Sequence, residues 1–523
     1  MVVSLLGSAV RSRWLPLSLM VPAAAFLWWW AAHNPLPDGF QNEYLLMGNA
    51  YDLWGALVDG DQWHLRWHAY TGYWPFGLYV VPWPWMALFG PGRAALLAGN
   101  LLHLAVLLWA SHDLGRRLDA PLAAPLVLLC PGVFGSLVRF EPNLAAVAWT
   151  AAGLAFLLRS QGLRRPWEVV GWGTALGLGL MMDRLTVAFF LLPAAIPVAV
   201  EGLRRDGRRA ALRLGGGLLV ALLWAAAWYR EFFLRHAQEL FSQAPVGEID
   251  AAGHVSATEG PLALLYYPLA LVDSQAGPLL GGIMLVGLGA AGLALARRPR
   301  LDDPRLPLLA AVLLAGAFFT LVAKKQVFYT LPLLVPLAVL AARQRRLAWL
   351  GLAGGLWGFL SLGLGLVPGG GPWLPVAWVA PRHVLARPPS MQRWPLERAM
   401  AALGQPAHLA VLSQDSTLFE GFLVLAAREA FPRAPVRGVV LDPTGTYENI
   451  DAIDALLWVG PPGLAWPAAQ GVREELALDH YDLSQVPPVD EVLAEAGPAF
   501  EEVGRWSVEG GDGPRDVVAL RRR

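Results

Sequence analysis

The chain has 523 residues, of which 56% are hydrophobic and only 15% charged, and its mean hydropathy is positive. A soluble protein must cover its surface with polar groups, so this composition reads as a membrane protein. The formal net charge is zero, which gives no case for nucleic acid as a partner, and the single cysteine, Cys130, excludes an internal disulfide framework and a cysteine metal cluster.

Apolar segments approaching the ~20 residues needed to cross a bilayer core recur from Trp14 to Val367. The first, residues 14–32, follows Arg11 and Arg13 as a signal peptide would, but its length and triple-Trp end suit a retained signal anchor. Short loops rich in arginine stay on the cytoplasmic side. The clusters are Arg11/Arg13, Arg116/Arg117, Arg159/Arg164/Arg165, 204–213, 297–305 and 343–346. Placing all of them inside predicts crossings at 14–32, 94–114, 120–137, 143–158, 169–182, 184–200, 214–230, 277–296, 306–323, 326–342 and 347–367. The expected fold is therefore a polytopic α-helical membrane protein of about eleven transmembrane helices. Residues 75–90 and the apolar run after Gly260 then lie along the outer interface without crossing.

Between the first two crossings lies an outer loop, residues 33–93, carrying Asp38, Glu43, Asp52, Asp59, Asp61, His64 and His68. A loop this long is more often functional than idle. Residues 44–57 have a helical apolar pattern, so Asp38 and Glu43 fall near a helix N-terminus, where carboxylates are favoured and where capping is the plain alternative. The same region is dense in aromatic residues, Tyr73 and Trp74 among them. Trp and Tyr favour membrane interfaces in any case, and some could stack on a sugar ring. A second outer loop, "VRFEPN", supplies Arg139 and Glu141; here the plain alternative is a solvated carboxylate at the membrane surface.

Lys324 and Lys325 are the only lysines in the chain. They fall on the outer side, against the positive-inside rule, where one helix ends and the next begins. Two readings stay open: the ammonium groups meet an anion, or their stems snorkel to the outer headgroups. Beyond Pro368, Asp, Glu and Arg return at ordinary density. The runs "HLAVLS", "VRGVVL", "DALLWVG" and "DVVAL" alternate with helical stretches such as "STLFEGFLVLAAREAF", which predicts an extracytoplasmic α/β domain with a largely parallel sheet. The expected division is a membrane part, residues 1–367, and a soluble C-terminal domain, residues 368–523.

In order, the chain carries an acidic outer loop, "GYW", "LFGPGRAALLAGNLL", "LGRRL", "RFEPNLAAVAW", "GLGLMMDRLTVAFFLLP" and "KKQVFYTLPLLVPLAVL". This order resembles the GT-C superfamily of integral membrane glycosyltransferases, especially the branch of protein O-mannosyltransferases and lipid A aminoarabinose transferase. The resemblance runs from about Leu15 to Ala342. It implies a GT-C-like fold and the inverting transfer of a sugar from a polyprenyl-phosphate donor to a glycolipid, polysaccharide or protein acceptor. The setting it implies is the outer face of the cytoplasmic membrane. The first-loop acid of the family maps to Asp38, with Glu43 the competing choice for the base, and the second-loop acid maps to Glu141. The family's KxxxYxxP pattern places Lys325 on the donor phosphate with Tyr329 and Pro332 in register, and Lys324 is an extra charge beside it. Arg184, Arg139, His68, Tyr73 and Trp74 complete the candidate substrate contacts.

Two departures stand out. His68 and Ala69 replace a common Lys-Pro pair before "GYW", and Met182, Asp183 and Arg184 replace a segment that commonly holds a lysine. A divalent metal ion joining Asp38 and Glu141, with His64 and His68 as further ligands, is an open alternative. The rivals from other classes are a transporter or lipid flippase and a non-catalytic scaffold of the same fold. Transporters place ionisable groups near the bilayer midplane and show repeated halves, whereas here the charges gather at one surface without an internal repeat.

Overall fold

The computed structural model describes residues 12, 14–33, 41–62, 75–183, 185–242, 262–321, 327–364, 366–367, 396–404, 409–413, 436–438, 455–460, 500–510 and 513–523. The helices are α1 (Leu15–His33), α2 (Gln41–Val58), α3 (Gly77–Val80), α4 (Trp83–Phe89), α5 (Arg93–Ala98), α6 (Asn100–Arg117), α7 (Ala123–Leu128), α8 (Pro131–Leu137), α9 (Asn143–Arg159) and α10 (Pro166–Met182). They continue as α11 (Thr186–Asp206), α12 (Arg208–Ser242), α13 (Leu262–Ala270), α14 (Pro278–Arg297), α15 (Leu306–Leu321), α16 (Leu334–Ala342), α17 (Arg345–Gly358) and α18 (Leu396–Leu403). A π-turn, Leu271–Gln275, follows α13, a second, Phe359–Gly363, follows α17, and a 3₁₀ segment, Val327–Leu333, leads into α16.

The chain divides into two compact units. The first comprises Met1–His33, Ala56–Gly90 and Ala94–Pro388. Each apolar segment expected from the sequence coincides with helix here. Residues 120–137 are split into α7 and α8 where Pro131 interrupts the backbone ladder. Helix α12 runs on to Ser242, well past the expected end at residue 230, because the added residues contain no glycine or proline to stop it. Among the described residues five helices are long and apolar enough to cross a membrane, and α9, α15 and the segment Phe328–Ala342 are shorter apolar helices. Large apolar side chains stay exposed on them, among them Trp28, Leu223, Leu313 and Leu350. A surface of this kind is matched by lipid and not by water, and the chain is a multi-pass membrane protein.

Helix α9 is the centre of this unit, packed against α6, α10, α11 and the 3₁₀ segment, and nearly all its residues are buried. Small residues allow the closest crossing, between α10 and α12: a Cβ on Gly173 would stand 2.1 Å from the Gly217 carbonyl oxygen, so the backbones touch there. Cys130 packs in the core as expected, its thiol donating to the Leu126 carbonyl over 3.2 Å.

Ion pairs show which helix ends share a face. Asp113 of α6 meets Arg117 at 2.8 Å and Arg159 of α9 at 3.6 Å; Arg159 also reaches Glu168 of α10. Arg205 of α11 meets Asp302, before α15, at 3.3 Å. Glu201, which pairs with Arg205, lies against Gly162 just after α9, so the arginine-bearing ends of α6, α9 and α11 share one face with the start of α15.

The second unit comprises Asn34–Gly55, Pro91–Arg93 and Pro389–Arg523. Its strands are β1 (Leu409–Ser413), β2 (Val436–Gly438), β3 (Ala455–Gly460), β4 (Phe500–Gly510) and β5 (Gly513–Arg522), in the sheet order β2-β1-β3-β5-β4. The four apolar runs picked out in the sequence are β1, β2, β3 and β5. The expectation of a largely parallel sheet is corrected: β2-β1-β3 are parallel, whereas β3-β5-β4 are antiparallel. The reason is β4, whose end Gly510 pairs with Gly513 across two residues, a hairpin connection too short for a parallel crossover. The consecutive β5 residues Val517, Val518, Ala519 and Leu520, and Ala399, Met400 and Leu403 of α18, are its buried core. The stretch "STLFEGFLVLAAREAF" lies outside the described residues.

Candidate active site

The end of the first unit away from the arginine face is built around Glu141. The loop from α8 to α9 is held by Asn100 at the start of α6, whose side-chain amide donates to the carbonyls of Leu137 at 2.9 Å and Arg139 at 2.8 Å. A single Asn satisfying two carbonyls fixes a short irregular loop that has no ladder of its own. Glu141 is 5% exposed, and its Oε2 accepts a hydrogen bond from the Asn143 amide at 2.5 Å. Arg139, Phe140 and Asn143 are buried with it. The alternative of a solvated surface carboxylate is therefore overturned, because the loop folds inward between α6, α8 and α9. Carboxylates are almost never buried without partners, and here the Asn143 amide supplies one.

Beside this loop, two irregular turns meet. A Cβ on Gly132 of α8 would press on the end of the Leu331 side chain and stand 3.2 Å from the Gln275 carbonyl oxygen, so glycine lets the π-turn and the 3₁₀ segment approach closely there. Gln275 Nε2 donates to Thr330 Oγ1 over 2.8 Å and clamps one to the other. The π-turn also buries Asp273 and Ser274. π-turns inside helices are frequent at functional sites. Tyr329, half-buried, lies with its ring centroid 5.7 Å from that of Phe319, which in turn packs on Phe190, Phe318 and Tyr267. This aromatic wall is suited to an apolar chain.

Within the second unit, Glu43 sits in the first turn of α2, which begins at Gln41 and so three residues earlier than the apolar pattern suggested. Its Oε1 lies 3.3 Å from the Arg93 guanidinium, with the side chains 0% and 5% exposed. Asp38, His64, His68, Tyr73, Trp74, Arg184, Lys324 and Lys325 lie outside the described residues. Among the described residues no group of three His, Cys, Asp or Glu side chains comes together to hold a metal ion.

Sequence reasoning passed over Arg93, Asn100, Asn143, Asp273 and Gln275. One signal was available: Asp273 is the lone acid of the apolar run 261–273, and an ionisable group in such a run marks function by default.

The helical bundle and its small sheet have the fold of a membrane-embedded GT-C glycosyltransferase, the fold the motif order anticipated. No family model matches the sequence. The chain is 29% identical over 305 residues to undecaprenyl phosphate-alpha-4-amino-4-deoxy-L-arabinose arabinosyl transferase 1 of Sodalis glossinidius (strain morsitans), covering 54% of this chain and 48% of that one. The match thus spans about half the length of that relative. The crystal structure of ArnT from Cupriavidus metallidurans bound to undecaprenyl phosphate superposes with a TM-score of 0.56 over 97% of this chain and 98% of that one, at 15% identity. Its apo form superposes with a TM-score of 0.54 over 96% and 97%, again at 15% identity.

Proposed function

We propose that the chain moves a sugar from a polyprenyl-phosphate donor to a glycolipid, polysaccharide or protein acceptor, with inversion, on the outer face of the cytoplasmic membrane. The observation that carries the reading is the likeness to a curated aminoarabinose transferase, joined to the fold of a structure that holds undecaprenyl phosphate. A buried Glu141 oriented by the Asn143 amide supports it. So do the arginine-bearing helix ends, which in this reading face the cytoplasm by the positive-inside rule. Residues 1–367 are the catalytic part in this reading, and residues 368–523 an extracytoplasmic domain that covers the site or helps choose the acceptor.

A phosphate-linked sugar already has a good leaving group. The protein's task is to stabilise the charge that builds on the departing phosphate and to orient the acceptor. Lys325, with Lys324, Arg184 and the Tyr329 hydroxyl, takes the phosphate. Arg139 is a further cation, while His68, Tyr73 and Trp74 contact the sugar. The base is Asp38: Glu43 is neutralised by Arg93 in a buried pair, which suits holding the loop more than collecting a proton. Glu141 positions the acceptor or the donor sugar through its carboxylate.

Purified protein offered undecaprenyl phosphate carrying labelled 4-amino-4-deoxy-L-arabinose, with a glycolipid acceptor, tests the reading. Release of undecaprenyl phosphate with acceptor labelling is expected for the wild type and is abolished by Asp38→Asn and Lys325→Ala. Equal turnover in all three proteins removes those residues from the mechanism, and label crossing a sealed bilayer without transfer returns the transporter reading.

A further inference from the structure

The arginine face carries a feature the transfer reaction does not use. Five of the described arginines there are ion-paired: Arg117 and Arg159 with Asp113, Arg205 with Glu201 and Asp302, Arg213 with Asp206, and Arg305 with Asp303. The link between α16 and α17 gathers three more around one cleft. Arg343, Arg345 and Arg346 are exposed, make no ion pair among the described residues, and with Gln344, Leu347 and Asp119 line a cleft of about 570 Å³. Asp119 in the cleft and Asp303, which interacts with Arg343, are two acids against three arginines. Holding like charges together costs energy, and a bound anion relieves it.

The surroundings identify the kind of anion. One turn along α17, Trp349 and Leu350 are 42% and 55% exposed on the lipid-facing side. An exposed apolar pair thus lies one helical turn from Arg345 and Arg346, so that an amphiphile can set its phosphate in the cleft and its acyl chains along α17. A soluble anion would use only the first. Arg is suited to the task, since its fork pairs two oxygens of a phosphodiester.

We propose that this cleft is a headgroup site for anionic phospholipid, separate from the donor site at the other end of the bundle. That it faces the inner leaflet rests on the topology given above; the binding itself does not.

The test uses full-length protein, delipidated in detergent and titrated with phosphatidylglycerol or phosphatidylcholine, bound lipid being counted by native mass spectrometry. About tenfold preferential retention of phosphatidylglycerol is expected for the wild type. R345Q/R346Q should bring retention to within about twofold of phosphatidylcholine, and R345K/R346K should restore part of it. R208Q/R209Q, which removes two exposed arginines elsewhere on the chain, should leave the preference intact. Absence of a preference in the wild type, equal loss in both neutralised pairs, or displacement of the lipid by glycerol phosphate at similar concentration each overturns the proposal. Sidedness is read separately. Gln344→Cys, with Cys130 buried, should react with an impermeant maleimide in sealed cells only after permeabilisation. Labelling of intact cells would sink the topology while leaving the lipid measurement valid.

Discussion

Arg93 and Glu43, fifty residues apart, form a buried ion pair with 3.3 Å between guanidinium and carboxylate. Removing one partner leaves an uncompensated charge out of water. Arg93→Ala is expected to destabilise the fold by about 3–5 kcal/mol, whereas Arg93→Met with Glu43→Leu should be far milder. Thermal unfolding of the detergent-solubilised protein distinguishes them. Equal losses would mean that the charges do not interact.

Glu141→Gln keeps an oxygen for the Asn143 amide and removes only the charge. Turnover is expected to fall about 10²-fold or more with stability unchanged. Asn143→Ala should lower turnover less, since it frees the carboxylate without deleting it. Initial rates against donor concentration separate a loss in kcat from a rise in KM, and unchanged rates for Glu141→Gln would remove this carboxylate from the chemistry.

Gly132→Ala forces a methyl group against Leu331 and the Gln275 carbonyl. The Leu331 side chain must turn aside and the Gln275 carbonyl give way by a few tenths of an ångström, at a cost of about 1 kcal/mol. Donor turnover is expected to fall with it, because the Gln275–Thr330 hydrogen bond spans the displaced contact. Gly282→Ala, where no atom lies within 4 Å of the added carbon, is the control in unfolding and turnover assays.

Asp303, in the loop between α14 and α15, is held below its ordinary pKa, chiefly by the hydrogen bond that the Arg305 guanidinium donates to it. A depressed carboxylate contributes stability that is present above the unfolded value of 3.8 and lost as the pH falls through the folded one. Wild type should therefore be more stable than Asp303→Asn at neutral pH, and the gap should close below pH 3.8. Melting curves across that range check it; a constant gap would mean that the ion pair is not what Asp303 supplies.

Much of this molecule was readable from local pattern. Runs of apolar residues marked every helical segment from α1 to α17 that the threading used, and arginines at alternate loops anticipated which helix ends share a face. The acids of "VRFEPN" and of the first outer loop stood out by type. What the acid in "VRFEPN" does depended on neighbours no window contains: Asn100 braces the loop of Glu141 from thirty-seven to thirty-nine positions away.

Length, hydropathy and charge order act along the chain, so by themselves they determined that this is a helical membrane protein and roughly where its helices lie, while the order of short motifs gave its resemblance to GT-C transferases. Pairing across distance belongs to the tertiary structure alone. It decided that Glu141 is buried, that Glu43 is engaged by Arg93, that Gly132 admits two turns at once, and that the closing hairpin makes the sheet mixed. Each of these depends on groups brought together by packing, where desolvation and close approach set the energy, and neither is encoded in any short stretch.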